Sequence, residues 1–195
     1  KNKITKKTKA VFMIHVLGNS ADMGEATKFC KKFNLLLIED CCESLGSHYK
    51  KKHIGNFGMA GSFSFYFAHH ICTIEGGAIC TNDKNLADDL RSFRAHGWIR
   101  NRSDKKKFEK KYKLLDEKFL FVTTGYNVRP TEINAVMGLN QLNKLDFFLN
   151  KRDAVVKKIS KILLGLPNLK IIGLNKLNNK KKQKANRGHS WMNLR

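Results

Sequence analysis

The sequence predicts an α/β domain with a mostly parallel sheet flanked by helices, and two patterns carry that prediction. Short apolar runs bounded by turn residues alternate with longer segments whose apolar residues recur at helical spacing. The opening unit shows both patterns. Val11–Val16 is expected as a strand, Gly18-Asn19-Ser20 as a turn and Ala21–Phe33 as a crossover helix. Leu35–Ile38 is then a second buried strand, ending in Glu39-Asp40, and strand ends in such sheets are where ligands bind.

The remaining elements follow in order. Ser62–Tyr66 and Gly77–Thr81 are expected strands, and Asn82-Asp83 caps a helix over Leu86–His96. Arg100–Lys118 is densely charged and weakly periodic, which predicts an exposed excursion with about one helical turn. After Pro130, Thr131 opens a long helix in which Ile133, Val136, Met137, Asn140, Leu142 and Leu145 recur at helical spacing. A second helix spans Arg152–Leu163, and the lysine- and asparagine-rich Asn175–Arg187 reads as disordered.

Composition sets the outer limits. The 195 residues suffice for a real core, while the start at Lys1, directly before an apolar run, reads as a piece of something longer. No apolar stretch reaches membrane-spanning length, and the five cysteines lack CxxC spacing, so a reduced cytoplasmic protein without a membrane or metal site is expected. The net charge of +22 comes mostly from lysines in separated tracts, without interleaved aromatics. Solvated faces explain that pattern without a nucleic-acid partner.

Six segments together resemble a known family. They are His15-Val16-Leu17-Gly18-Asn19, Ile38–Gly46, Gly55-Asn56-Phe57-Gly58, Ser64–Gly77, Arg94-Ala95-His96-Gly97-Trp98 and Gly125–Pro130. The resemblance is to the DegT/StrS-type sugar aminotransferases, and the His69-His70 form of the loop looks most like the GDP-4-keto-6-deoxymannose 3-dehydratase branch. It implies the large domain of pyridoxal-phosphate enzymes of fold type I, present in part over 1–150, with 151–195 as a connecting helix and the start of a truncated small domain. It further implies a homodimer that uses pyridoxal 5'-phosphate and pyridoxamine 5'-phosphate, glutamate as amino donor and a nucleotide-linked 4-keto sugar as substrate. His189-Ser190-Trp191 resembles the start of the small domain.

The resemblance assigns roles to five residues. Asp40 falls where a carboxylate anchors the cofactor's pyridine nitrogen, although a strand-end aspartate can also simply cap a turn. Glu43 falls near the cofactor's phenolic oxygen, Ser64 at its phosphate, and Asn127 at the phosphate of the partner subunit's cofactor. His69 stands five residues after Ser64, the spacing of the family's cofactor lysine. Imidazole cannot make the covalent link that lysine makes, yet it moves protons near neutral pH. His70 is the alternative base, but the spacing from Ser64 and the alternation of faces in extended chain favour His69.

A histidine in this place implies removal of the sugar's 3-hydroxyl with release of ammonia. The alternatives are a sugar aminotransferase acting on a 4-keto sugar, and an inactive remnant or basic binding protein. Trp98–Val122 lacks the cysteines that related iron–sulfur dehydrases carry after their histidine, which argues against such a centre here.

Overall fold

The computed structural model describes residues 2–164, 166 and 189–191. The expected disordered tract Asn175–Arg187 lies outside them. Among the described residues eleven elements occur in the order β1 (Ala10–Ile14), α1 (Met23–Lys32), β2 (Leu36–Asp40), β3 (His48–Tyr49), β4 (Lys52–His53), β5 (Ala60–Ser64), β6 (Gly77–Cys80), α2 (Lys84–Phe93), α3 (Lys105–Lys111), α4 (Glu132–Leu142) and α5 (Leu145–Leu163). Short 3-10 turns add Val16–Gly18 and Glu117–Phe119.

The main sheet has the order β1-β2-β5-β6. β1, β2 and β5 run parallel and β6 returns antiparallel, so the mostly parallel sheet expected from the sequence is present. α1 covers one face. Met23, Ala26 and Cys30 from the helix meet Leu37 of β2, with Val11, Met13, Phe29 and Phe57 packed around them. Burying each large side chain of this kind contributes about 1.5–3 kcal/mol. The opposite face is open: Phe12 is 57% exposed and Ile14 52%.

Caps set the helix starts. Asp22 accepts the Glu25 amide hydrogen and also the Tyr49 hydroxyl, so α1 begins two residues later than the turn alone suggested. Asp83 accepts from Asn85 and Leu86, as the sequence led one to expect. The charged excursion after Arg100 holds more order than one turn, since Lys105–Lys111 is helical. The β3–β4 hairpin was not anticipated, because two-residue strands made of His, Tyr and Lys show no apolar alternation.

The chain divides into two compact units, one of Lys1–Cys80 with Ile133–Arg195 and one of Thr81–Glu132. Residue 150, where the sequence reading divides the chain, lies inside α5. In the second unit, Asp88 is buried and accepts from the amide and hydroxyl of Ser103 and from Arg91. The Ser103 bonds and then Arg91 hold its carboxyl down to about 2. Among the described residues no helix is long and apolar enough to cross a membrane.

Candidate active site

Two adjacent acids at the end of β2 take opposite sides of the sheet, as the two-residue period of a strand requires. Glu39 faces the packed side and is fully buried. Its Oε1 accepts the amide hydrogens of Phe57 (2.6 Å) and Gly58 (2.8 Å), and its Oε2 accepts those of Gly55 (2.7 Å) and of His15 Nε2 (3.2 Å). His15 must carry its hydrogen on Nε2, because its Nδ1 accepts the Ala21 amide hydrogen at 3.0 Å. Burial pushes the Glu39 carboxyl up, but the His15, Gly58, Gly55 and Phe57 donors outweigh it and hold the group below the usual carboxylate range.

Cys41 comes close to this pair, and its Sγ lies with the His15 and Glu39 ligand atoms inside a sphere of contacts no wider than 4.8 Å. Four donors already occupy the carboxylate. Burial and then the Glu39 and Asp40 charges keep the Cys41 thiol protonated. His15 and Glu39 are thus a hydrogen-bonded pair with a protonated thiol beside it, and not an open ligand set.

Asp40 faces the open side. Strand register places Ile14, Asp40 and Ser62 in one row across β1, β2 and β5, and Ser64 lies two residues further along the same face of β5. Asp40 Oδ1 accepts the Cys42 amide hydrogen at 3.0 Å. Burial, followed by the bond and charge of Asp40, pushes the Cys42 thiol up to about 11. Ser64 Oγ accepts the Tyr66 amide hydrogen at 3.3 Å, which leaves its own hydrogen for an acceptor. Glu43 Oε2 accepts the Leu17 amide hydrogen at 2.7 Å and so steadies the turn after β1, where Leu17 has φ of 53°.

The loop between β5 and β6 carries both histidines and is tied at its base and along its length. Phe65 donates to the Gly76 carbonyl, and Thr73 donates to the Phe65 carbonyl. α4 adds two amides spaced two helical turns apart. Asn134 Nδ2 donates to the Thr73 carbonyl at 2.6 Å, and Gln141 Oε1 accepts the Cys72 amide hydrogen at 3.2 Å.

Within this loop the two imidazoles differ. His69 is half-buried, and its Nδ1 is buried without a hydrogen-bond partner. His70 is 4% exposed, its Nε2 donates to the Ser190 carbonyl at 3.1 Å, and its Nδ1, like that of His69, is buried without a hydrogen-bond partner. Burial first, then Arg152 and His69, lower His70 to about 4 against a partial rise from the Ser190 bond. His70 therefore stays neutral near pH 7.

Residues 189–191 lie against the turn after β1. His189 bridges to Asn19, Ser190 donates its amide hydrogen to the Gly18 carbonyl, and the His189 and Trp191 rings stack at 3.7 Å. Gly18 has φ of 89°, and a Cβ there would sit 2.6 Å from the Trp191 nitrogen, so only glycine admits this contact. Asn127 belongs to the second unit. It is exposed and forms an isolated bridge with Ala95, flanked by Tyr126 and Val128 bonded to Phe93 and Arg94. In the same unit the Trp98 ring stacks on Phe121 and lies under Arg100.

A family profile describing the DegT/DnrJ/EryC1/StrS aminotransferases matches residues 1–194 of this chain. The chain belongs to that family. Within it, the chain is 41% identical over 154 residues to GDP-4-keto-6-deoxy-D-mannose 3-dehydratase of Yersinia pseudotuberculosis, covering 78% of this chain and 39% of that one. It is 38% identical over 150 residues to GDP-perosamine synthase of Escherichia coli O157:H7, covering 77% and 37%. The E. coli GDP-4-keto-6-deoxy-D-mannose-3-dehydratase, solved with bound hydrated PLP, superposes with a TM-score of 0.79 at 34% identity, covering 98% of this chain and 47% of that one. A GDP-4-keto-6-deoxymannose-3-dehydratase solved with a trapped PLP-glutamate geminal diamine superposes with a TM-score of 0.77 at 32% identity, covering 97% of this chain and 47% of that one. The chain thus spans less than half the length of these family members.

Three contributors to the site escaped the sequence reading. Glu39 was noted only as a strand end, and nothing in a single sequence announces four converging donors. Asn134 and Gln141 sit among apolar residues whose spacing drew attention to the other faces of α4. The visible signal was a pair of amides at i and i+7, which marks one helix face.

Proposed function

We propose that this chain serves a pyridoxal/pyridoxamine 5'-phosphate enzyme that removes the 3-hydroxyl of a GDP-linked 4-keto-6-deoxyhexose. The carrying observation is His69, a half-buried imidazole with an unpartnered Nδ1 on a doubly anchored loop, at the place where the family resemblance puts a lysine. The open face suits such a cofactor: a carboxylate, two hydroxyls and an imidazole loop adjoin a flat row of strand-end residues. When bound, the cofactor supplies an electron sink conjugated to the sugar carbon that reacts.

The residues then have distinct tasks. Asp40 holds a proton on the ring nitrogen by placing a negative charge against it, and Ser64 donates its free hydroxyl hydrogen to a phosphate oxygen. Glu43 has an oxygen for the ring's phenolic position after bonding Leu17 through the other. His69 would act as the base toward the methylene carbon of the bound amine cofactor and would donate a proton to the departing 3-hydroxyl. Asn127 reaches the phosphate of a second subunit's cofactor, which makes the active form a homodimer. Glutamate is the amino donor, the compartment is the cytoplasm, and residues 151–195 begin the connection to a small domain.

A second reading, amine transfer to the sugar, is favoured by the relative named as a perosamine synthase. The absorbance of the purified chain with pyridoxal phosphate, then with glutamate, tests the first reading against the same chain carrying His69→Lys. Wild type is expected to hold the cofactor without a covalent link and to convert it to the amine form with glutamate. The lysine variant is expected to acquire the absorbance of covalently attached cofactor. Covalent attachment in wild type, or no cofactor in either chain, overturns the reading. Release of ammonia with a 3-deoxy product supports dehydration, whereas a retained 4-amine supports transfer.

A further inference from the structure

We propose that His70 is a positioning residue, whose side-chain tie to the segment 189–191 fixes the placement of His69. The inference rests on the reading of His69 as the proton-moving group. The loop needs such a tie because its other anchors lie nearer its two ends. Phe65 and Thr73 are held by the Gly76 and Phe65 carbonyls, and Asn134 and Gln141 of α4 hold Thr73 and Cys72. Between these points the His69 amide donates back to the Tyr66 carbonyl at 3.0 Å, a bond internal to the loop. Phe67 at the tip is 62% exposed. Among the described residues, the His70 Nε2 bond to the Ser190 carbonyl is the one side-chain hydrogen bond from 66–71 to another segment. Ile71 is buried as well, but apolar burial is non-directional, whereas a hydrogen bond constrains distance and angle together.

The acceptor is itself held firmly. The Ser190 amide donates to the Gly18 carbonyl at 2.8 Å, and the same carbonyl accepts the Ser47 hydroxyl at 2.7 Å. His189 bridges to Asn19 and stacks on Trp191, and all three residues 189–191 are buried. One residue before Gly18, the Leu17 amide donates to the Glu43 carboxylate. A continuous bonded path therefore runs from Glu43 through the turn after β1 and Ser190 to His70, and so to its neighbour His69. Residues 189–191, remote in sequence from the loop, set it against the turn that Glu43 steadies.

The chemistry of His70 suits a tether and not a second base. A carbonyl oxygen only accepts, so the His70 hydrogen sits on Nε2. A second proton would go to Nδ1, which is buried and has no acceptor beside it. Burial and then the Arg152 charge oppose that proton further.

The test is modification of the full chain by diethyl pyrocarbonate without added cofactor, with the rate at each histidine read by mass spectrometry of the digest. His15, whose two nitrogens are both hydrogen-bonded in the core, reports whether the fold is kept, and exposed His96 reports the reagent. His70→Leu fills the buried space without an N–H, and is expected to speed modification of His69 by about fivefold or more while His15 stays protected. His70→Gln carries an amide N–H that reaches the same carbonyl, and is expected to keep His69 within about twofold of wild type. A side chain that merely filled space would give the opposite order. Trp191→Ala, which loosens the acceptor from its far side, should match His70→Leu, and the double variant should add little. Unchanged modification of His69 in a folded His70→Leu chain, or a His70→Gln chain as fast as His70→Leu, overturns the proposal. Where His70→Leu exposes His15 as well, Trp191→Ala decides, and an unchanged His69 there overturns it equally. No cofactor takes part, so failure of the cofactor test above and failure of this one are told apart.

Discussion

Replacing Glu39 by Gln isolates the contribution of the buried carboxylate beneath the candidate site. Each carboxylate oxygen receives two N–H groups, Phe57 and Gly58 on one and Gly55 and His15 on the other. Whichever way the new amide turns, its NH2 faces two buried donors that lose their acceptor. An orphaned buried donor costs about 1–3 kcal/mol, so the variant should lose about 3–5 kcal/mol. With a urea slope of about 2 kcal/mol per molar, the midpoint should fall by roughly 2 M. Urea unfolding followed by circular dichroism and tryptophan fluorescence reads this directly.

The same substitution carries a pH signature with a definite sign. The unfolded carboxyl titrates near 4.5 and the folded one lower, so between the two values the unfolded chain holds the extra proton. The Glu39 contribution is therefore complete above pH 4.5 and is lost as pH falls through the folded value. The gap between wild type and Glu39→Gln should narrow as pH drops below 4.5. A loss smaller than about 1 kcal/mol at pH 7, or a gap that does not narrow in acid, would refute the assignment of Glu39 as an ionised hub.

Two further outcomes follow from the loop. His70 is lowered from 6.5 to about 4, so between these values the unfolded chain binds the extra proton and stability rises with pH. Its contribution should fade as pH drops from 6.5 to 4, by on the order of 3 kcal/mol at most, and His70→Asn should flatten that part of the profile; a His70 resonance, assigned by its loss in His70→Asn, that titrates near 6.5 in the folded chain would contradict it. Removing the α4 anchors by Asn134→Ala or Gln141→Ala should cost about 1 kcal/mol each and, for Gln141→Ala, speed hydrogen exchange at the Cys72 amide, and unchanged exchange there would show that Gln141 does not hold the loop.

What could be read in advance depended on whether the physical signal is local. The β1-α1-β2 unit was legible because apolar period and an aspartate cap are written into adjacent residues, and the same holds for Asp83 ahead of α2. Asp40, Ser64 and His69 were singled out through motif resemblance, and register adds that Asp40 and Ser64 share a face. The hairpin of His48 and His53 was invisible because a two-residue strand has no period to detect. The left-handed turn residues Lys50 and Lys51 also lack the glycine or asparagine that usually announces such a turn. Glu39 stayed hidden for another reason: its four partners come from segments 15 and 55–58, and only the folded sheet assembles them.

The adjacency of Glu39 and Asp40 gives β2 a kind of reading frame. One acid is the internal fastener and the other faces the open side, and only odd-even parity along five residues decides which is which. Inserting or deleting a single residue in β2 ahead of them exchanges the two. The shorter carboxylate then lands among donors spaced for the longer one, and the longer carboxylate projects into the row beside Ser62. A two-residue change restores the parity. Tolerance to length variation in β2 should therefore alternate, with odd changes ruinous and even ones milder, although no side chain of the site has been substituted.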